Sequence, residues 1–255
     1  MPTANTSLKL AVLIDGENAS ARMAEPLFTE IATLGEATGR RIYGDAASPA
    51  LKNWVEILPH WAIQWQQNFQ NTKGKNSGDI ALVIDAMDLM HSNRFDGFCI
   101  VSSDSDFTRL AARIREQGLP VYGFGERKTP ESFIQACTRF IYIENLLPAV
   151  QTPAPSITTT TTPAETAAKR FVPASQLNRA QQLIINALNA ADDDGDGWVE
   201  LAALGQRLRA TYPDFDHRTY GKAKLSDLIR SLSKLDIDRM PGNGLRVRIK
   251  PTKMA

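Results

Sequence analysis

The sequence predicts an α/β fold in which a doubly wound parallel sheet carries helices on both faces, followed by a small, mostly α C-terminal domain. Short apolar runs alternate with helical stretches from residue 8 to residue 144. The first run, LKLAVLI at 8–14, shows no polar alternation, which is typical of a strand buried on both faces. Beyond residue 176 the pattern is mainly helical and ends in LRVRIK, which fits a terminal strand pair or wing.

The elements of the first domain follow one another as strand, helix, strand. In helix 79–91 the apolar residues Ile80, Val83, Ile84 and Met87 recur at helical spacing. This alternation predicts parallel strands joined by helical crossovers, and such sheets bind ligands at the carboxyl ends of their strands. Strands are predicted at 8–14, 40–44, 61–66, 98–102, 120–125 and 140–144, and helices at 20–38, 49–57, 79–91, 106–117 and 130–138.

Composition divides the chain into three parts. Residues 148–175 are rich in threonine and proline and predict a linker between a first domain over 1–147 and a second over 176–255. Residues 1–147 carry 14 basic and 17 acidic residues, a net charge of −3, whereas residues 204–255 carry 12 and 5, a net charge of +7. The basic C-terminal part is therefore the more suitable contact for a polyanion.

Several classes of protein are excluded by the composition. No apolar run approaches the roughly 18 residues needed to span a bilayer, and no basic region precedes the first apolar stretch. We therefore expect a cytoplasmic protein with no membrane partner. Cys99 and Cys137 lie in apolar contexts and predict neither a disulfide framework nor a zinc site.

Acidic residues directly follow two of the predicted strands. Asp15 follows the first strand, Asp104 and Asp106 follow the fourth, and Asp79 opens the helix at 79–91. If strands one and four are neighbours, these carboxylates meet at one edge, where two of them about 4 Å apart repel by ~4 kcal/mol at an effective dielectric near 20. Bound divalent cations relieve this repulsion, and a carboxylate set without His or Cys suits Mg²⁺ or Mn²⁺. The sequence thus predicts metal-dependent phosphodiester hydrolysis.

Polar and basic residues near these aspartates are predicted to bind the substrate. Lys73 and Lys75 precede a helix N-terminus, where basic groups and backbone N–H groups suit a phosphate. Asn18 either orients a ligand or caps the helix that follows it. The full set is Asn18, Lys73, Lys75, Ser102 and Ser103.

Each aspartate also has an alternative interpretation as a turn or N-cap residue. This alternative is strongest for Asp106, which directly precedes a helix. Asp85 is expected to support the site from behind the metal ligands, and Glu17 is interpreted as a loop residue rather than a ligand.

The segments VLIDGEN, KNSGDIALVIDAMDL and VSSDSDF, in that order, resemble the NYN domain family of PIN-like (LabA-like) nucleases over about residues 8–146. The resemblance implies a PIN-like fold, RNA cleavage, most simply of single strands, and an acidic metal site. It implies that Asp15, Asp79 and Asp104 bind the metal directly and that Asp106 binds it or orients water. One departure is Ser103, where the family often has glycine.

The C-terminal segments GDGWVELAALGQRL and PDFDHRTYGKAKLSDLI resemble the OST-HTH (LOTUS) family over about residues 177–250. The resemblance implies a winged-helix-like module that binds RNA or a protein partner. Tyr220 either stacks on a base or belongs to the core. Phosphate contacts are expected from Arg218, Lys222, Lys224 and Arg230.

The sequence also suggests four other interpretations. The first domain could bind RNA as a regulatory scaffold without cutting it, and DNA could replace RNA, because nothing in the sequence reads the 2′-hydroxyl. A haloacid-dehalogenase-type phosphatase requires a second aspartate where Glu17 stands. The acidic turn at 192–196 resembles a calcium-binding EF-hand loop, but position 12 of that loop is Ala203 instead of glutamate.

Overall fold

The computed structural model describes residues 7–45, 48–67, 77–147, 174–191, 197–240, 242 and 244–250. The chain divides into two compact units, with the boundary between Leu146 and Leu147. Lys73, Lys75, the acidic turn at 192–196 and all of the predicted linker except its last two residues lie outside the described residues.

The first unit is built on a six-stranded parallel sheet. Its strand order is β3-β2-β1-β4-β5-β6, so β1 and β4 are adjacent although two strands and three helices separate them along the chain. The strands are β1 (Lys9–Asp15), β2 (Glu36–Gly44), β3 (Gln64–Gln67), β4 (Gly97–Val101), β5 (Val121–Gly125) and β6 (Arg139–Tyr142).

Both faces of this sheet are covered, as a doubly wound fold requires. Alternate residues of β1 enter two separate cores: Leu10, Val12 and Ile14 pack on one face, and Ala11 and Leu13 pack on the other. The helices α1 and α2 contribute to the first core, and α3, α4 and α5 contribute to the second. These helices are α1 (Ala24–Ala32), α2 (Pro49–Val55), α3 (Ser77–His91), α4 (Thr108–Glu116) and α5 (Glu131–Ala136).

Helix α1 is shorter than the predicted helix at 20–38. A short 3₁₀ helix (Ala21–Met23) precedes it, and it ends at Ala32, so that residues from Glu36 onward belong to β2. Gly35 lies in the connection from α1 to β2, and a Cβ at that position would lie 2.4 Å from the carbonyl oxygen of Leu8. The chain passes too close to the start of β1 here for any residue with a side chain.

Helix α3 forms as predicted, but its buried face differs from the apolar stripe seen in the sequence. The face that packs against the sheet consists of Leu82, Ala86, Leu89 and Met90. Ile80 and Ile84 are about 60% exposed. Apolar residues lie on more than one side of this helix, so periodicity alone did not identify the side that meets the sheet.

The second unit combines helices with a three-stranded antiparallel sheet of order β7-β9-β8. The strand pair predicted at the C-terminus is β8 and β9. A 3₁₀ helix (His217–Tyr220) ends at Gly221, which adopts a left-handed conformation (φ 68°), and the short helix α8 follows it. The elements are α6 (Ala174–Asn189), β7 (Val199–Glu200), α7 (Leu201–Thr211), α8 (Leu225–Arg230), β8 (Leu235–Arg239) and β9 (Leu245–Ile249).

Among the described residues, no helix is both long enough and apolar enough to cross a membrane.

Candidate active site

The site lies where the strand order of the first unit reverses, between β1 and β4. These strands pair in parallel with Ile14 opposite Val101, so the chain leaves both strands at the same edge of the sheet. Asp15 ends β1, and the loop from Ser102 to Asp104 follows β4. In open α/β sheets this reversal forms a crevice in which ligands bind.

Three carboxylates meet at this edge. One oxygen from each of Asp79, Asp104 and Asp106 can be chosen such that all three atoms lie within 4.8 Å of one another. Asp79 and Asp104 are half-buried, whereas Asp106 is exposed. Asp79 comes from α3 and the other two from the loop after β4, so the fold joins segments that are 25 residues apart in the chain.

A backbone hydrogen bond in the loop after β4 orients the Asp104 side chain. Asp104 is the N-cap of a 3₁₀ helix (Ser105–Phe107), and its Oδ1 accepts a hydrogen bond of 2.9 Å from the backbone N–H of Asp106. This is the capping role considered as an alternative for these aspartates. The capping bond uses Oδ1 and leaves Oδ2 available to a metal, so the two roles are compatible.

Asp79 is positioned by the way α3 docks on β2. It lies in the first turn of α3, where the helix dipole favours a negative charge. A Cβ added to Gly78 would be 3.7 Å from the Cα of Gly44, so the backbones of helix and strand come close together here. Farther along α3, Asp85 accepts hydrogen bonds from Arg41 and Tyr43 of β2. Asp85 therefore anchors the helix that carries Asp79.

Asp15 has a different environment from the other three aspartates. It is only 4% exposed and accepts four hydrogen bonds. Its Oδ2 accepts from Asn18 Nδ2 and Ser102 Oγ, both at 2.7 Å. Its Oδ1 accepts from the backbone N–H groups of Glu17 and Asn18. Asp15 does not belong to the 4.8 Å group, and this network fixes its carboxylate beside that group.

Burial and neighbouring negative charge raise the pKa of Asp79 to about 6. Burial is the larger cause, and repulsion from the carboxylates of Asp15, Asp104, Glu17 and Asp106 adds to it. Glu17 is thus close enough to affect the site, although its sequence context indicated a loop residue and not a ligand. Glu17 lies in the turn after Asp15, two residues along the chain, and this proximity was the available signal.

This raised pKa predicts how the stability of the metal-free protein depends on pH. In the unfolded chain Asp79 ionises near pH 3.8, and in the folded chain near pH 6. Its contribution to the free energy of unfolding therefore falls as pH rises through this window, by about 1–2 kcal/mol after solvent screening, and stays reduced above it. Urea unfolding in EDTA at pH 4 and pH 7 should show this loss for the wild type relative to Asp79→Asn; an identical pH dependence in both proteins would contradict it.

The donor set of this edge fits a hard divalent cation. The groups that converge are carboxylate oxygens, which Mg²⁺ and Mn²⁺ prefer. A cation would also offset the repulsion that raises the pKa of Asp79. The oxygen ligands and the negative charge of the crevice therefore both favour a divalent cation.

The predicted substrate-binding residues fall into two groups. Asn18, Ser102 and Ser103 lie at the edge beside the acidic residues: the first two bond to Asp15, and Ser103 Oγ accepts a hydrogen bond of 2.8 Å from the backbone N–H of Glu126. Lys73 and Lys75 lie outside the described residues, so their role stays a prediction.

The predicted nucleic-acid contacts of the second unit differ in their freedom. The Arg218 guanidinium binds both carboxylate oxygens of Asp216, with Nη2 to Oδ2 at 2.6 Å. Burial opposes ionisation of Asp216, but these hydrogen bonds hold its pKa below its usual range. Lys224 and Arg230 are exposed, and Lys222 is half-buried. Arg230 also pairs with Asp227, Nη1 to Oδ1 at 3.4 Å. Tyr220 belongs to the core, in contact with Phe215.

One cluster of the second unit was missed in the sequence. The guanidinium carbons of Arg246 and Arg248 each lie 4.4 Å from the ring centroid of Trp198. Across the sheet these arginines pair with Asp238 and Asp236. The alternation of LRVRIK places both arginines on one face of β9, which was the signal that could have revealed the cluster.

The first unit is an α/β domain with a parallel sheet and carboxylates gathered at its switch point. The chain belongs to the NYN domain family, whose model matches residues 9–144. A second family model, the OST-HTH/LOTUS domain, matches residues 175–247 and represents an RNA-binding module. The chain is therefore a ribonuclease-like protein with an RNA-binding module.

No curated protein matches the chain. Two solved structures are similar to parts of the chain. A protein of unknown function from Vibrio parahaemolyticus is 23% identical over 56% of this chain and 98% of its own, with a TM-score of 0.46. An uncharacterized protein from Nitrosomonas europaea is 26% identical over 41% of this chain and 97% of its own, with a TM-score of 0.27. With TM-scores below 0.5, neither similarity supports a conclusion about function.

Proposed function

We propose that the chain is a metal-dependent endoribonuclease that hydrolyses phosphodiester bonds of single-stranded RNA at the edge between β1 and β4. The observation that carries this proposal is the convergence of Asp79, Asp104 and Asp106, whose oxygens lie within 4.8 Å of one another in an NYN domain. Such a group repels itself strongly unless a cation binds, and it lies where the fold forms its ligand crevice.

The residues of the site have different proposed roles. Asp79, Asp104 and Asp106 would hold Mg²⁺ or Mn²⁺, which supplies an activated water and neutralises phosphate charge. Asp15 sits behind them, held by Ser102 and Asn18, and either completes the ligand set or orients the groups around it. Because Ser102 Oγ also accepts the N–H of Asp104 at 3.1 Å, one hydroxyl links Asp15 to a candidate ligand.

The second unit would hold the RNA while the first unit cuts it. Exposed Lys224 and Arg230, together with Lys222, would contact phosphates, and the Thr/Pro-rich segment at 148–175 would tether the two domains. Arg218 would contribute positive charge near this surface only in part, because Asp216 already binds its guanidinium.

A cleavage assay tests the proposal. The full chain is incubated with a single-stranded RNA and with a DNA of the same sequence, in Mn²⁺ and in EDTA. The proposal requires internal cleavage of the RNA in Mn²⁺ and none in EDTA. Cleavage that persists in EDTA would rule out the metal mechanism, and RNA that is bound but stays intact with every divalent cation would support a scaffold.

Removing the Ser102 hydroxyl should slow cleavage by roughly 10- to 100-fold, the usual effect of losing a group that orients metal ligands. The Ser102→Ala variant takes one hydrogen bond from Asp15 Oδ2 and another from the backbone N–H of Asp104. Single-turnover rates would measure the loss. Ser92→Ala is the matched control, since that hydroxyl bonds to the carbonyl of Leu89 at the other end of α3; equal rates for both variants would contradict the role of Ser102.

A further inference from the structure

The loop after β5, which consists of residues 126–130, lies beside the loop that carries Asp104. Because β4 and β5 pair in parallel, the chain leaves both strands at the same edge of the sheet. The backbone N–H of Glu126 donates to Ser103 Oγ at 2.8 Å, and Ser103 directly precedes Asp104. One hydrogen bond therefore joins this loop to the acidic edge.

The backbone of the loop after β5 is also held on its other side. The backbone N–H of Arg127 donates to Glu144 Oε1 at 2.9 Å, and Glu144 lies in the 3₁₀ helix that follows β6. Within the loop, the Thr129 hydroxyl donates to the carbonyl oxygen of Glu126 at 2.6 Å. The loop is thus fixed between the ends of β4 and β6, which are two strand spacings, or about 10 Å, apart.

Two basic side chains of this loop are exposed, although its backbone is fixed. The guanidinium carbon of Arg127 lies 5.9 Å from the centroid of the Tyr142 ring, at the end of β6. The Lys128 side chain is 71% exposed and pairs with Glu126, Nζ to Oε2 at 2.9 Å. An ion pair this exposed contributes about 0–1 kcal/mol, so a phosphate can replace the carboxylate at little cost.

These two cations belong to a domain that is acidic as a whole. Residues 1–147 carry a net charge of −3, and carboxylates gather at the candidate metal site. A bound metal ion neutralises the scissile phosphate, whereas the phosphates beside it are repelled unless basic groups lie along the strand. The distance of about 10 Å between the ends of β4 and β6 corresponds to roughly three nucleotides of a stacked strand. The loop after β5 therefore lies within reach of these neighbouring phosphates.

We propose that the loop after β5 binds the backbone of single-stranded RNA about three nucleotides from the scissile phosphate, an inference that rests on the proposed function. The strand leaves the acidic group and runs along the carboxyl edge of the sheet toward β6. Arg127 and Lys128 contact its phosphates, and the Tyr142 ring holds the Arg127 guanidinium in place.

NMR titrations of the full chain test this inference without any cleavage. In Ca²⁺, which also takes oxygen ligands, an octanucleotide single-stranded RNA is compared with uridine 5′-monophosphate. The octanucleotide should shift the backbone amides of residues 104–106 and of residues 126–128, whereas the mononucleotide should shift only the first group. If the octanucleotide instead shifts the amides of Arg22 and Lys52, which follow β1 and β2, the strand runs in the other direction and the inference fails.

A double variant measures the contribution of the two cations. Arg127→Gln combined with Lys128→Gln should weaken octanucleotide binding, followed by the amides of residues 104–106, by roughly tenfold, and should lower the slope of log affinity against log salt by about 1.4. Lys9→Gln combined with Arg94→Gln is the matched control, because it removes the same charge from exposed positions at the opposite edge of the sheet, where β1 and β4 begin. The control should keep the wild-type affinity and slope. Wild-type affinity and slope in the first double variant would overturn the inference.

The cleavage assay separates this inference from the proposed function. If RNA is cut in Mn²⁺ but the substitutions at 127 and 128 leave octanucleotide binding unchanged, the inference fails and the proposed function stands. If these substitutions weaken octanucleotide binding as expected, yet no RNA is cut with any divalent cation, the loop binds RNA and the nuclease proposal fails.

Discussion

Replacing Asp79 with asparagine should reduce RNA cleavage by roughly 10³-fold while making the metal-free protein more stable at neutral pH. Activity falls because Asp79 provides one of the three oxygens that lie within 4.8 Å of one another. Stability rises because the buried, repelled carboxylate, whose pKa is raised to about 6, no longer has to be ionised in the folded chain. If Asp79 only stabilised the N-terminus of α3, the substitution would instead lower the free energy of unfolding.

Asp88→Asn is the matched control for this prediction. Asp88 is exposed on the same helix, more than two turns beyond Asp79. The control should cleave RNA at the wild-type rate and unfold at the wild-type urea concentration. Single-turnover cleavage in Mn²⁺ and urea unfolding in EDTA, both at pH 7, would measure the two effects. Undiminished cleavage by Asp79→Asn would remove this residue from the metal site.

Replacing Gly125 with alanine should destabilise the first domain by about 3 kcal/mol, which corresponds to a fall of roughly 10 °C in its melting temperature. Gly125 ends β5, and a Cβ there would lie 2.6 Å from the carbonyl oxygen of Ser102 and 2.7 Å from Thr129 Oγ1. The first of these atoms belongs to the backbone and cannot rotate away. The loop that carries Ser102 and Asp104 would have to move, so cleavage should fall as well.

Gly78→Ala tests whether this effect is specific. A Cβ at Gly78 would meet the Cα of Gly44 at 3.7 Å, an ordinary contact, and alanine suits the first turn of α3 better than glycine does. We expect its melting temperature, measured by circular dichroism, to match or exceed that of the wild type. A Gly125→Ala protein as stable as Gly78→Ala would show that the loop after β4 can shift without cost.

The placement of Asp15 and Asp104 could be predicted because each follows an apolar run directly. Parallel strands end at the same edge of the sheet, so residues after two adjacent strands must lie near each other. The argument depended on the condition that the first and fourth strands are neighbours, and the pairing of β1 with β4 meets it. The fold class of both units could likewise be predicted from the alternation of strand and helix patterns.

The division of roles among the aspartates could not be predicted in the same way. Asp15 and Asp104 look alike in sequence, yet Asp15 is enclosed by four hydrogen bonds and Asp104 lies in the 4.8 Å group. The difference depends on which loop covers each carboxylate. Asp85 was expected behind the metal ligands, and its partners there, Arg41 and Tyr43, could not be predicted, because only the docking of α3 on β2 brings them to it.

The stack of Arg246 and Arg248 on Trp198 could be predicted only in part. The alternation of LRVRIK places both arginines on one face of β9. Their contact with Trp198 depends on the pairing of β7 with β9, which no local pattern in the sequence indicates.

Crystals of the protein soaked in Mn²⁺ would test the central claim most directly. Anomalous scattering should locate manganese between β1 and β4, bound by oxygens of Asp79 and Asp104 and by a third carboxylate from Asp106 or Asp15, at about 2.0–2.2 Å. Manganese that binds elsewhere, or an acidic edge that stays empty at the Mn²⁺ concentration that supports cleavage, would contradict the account.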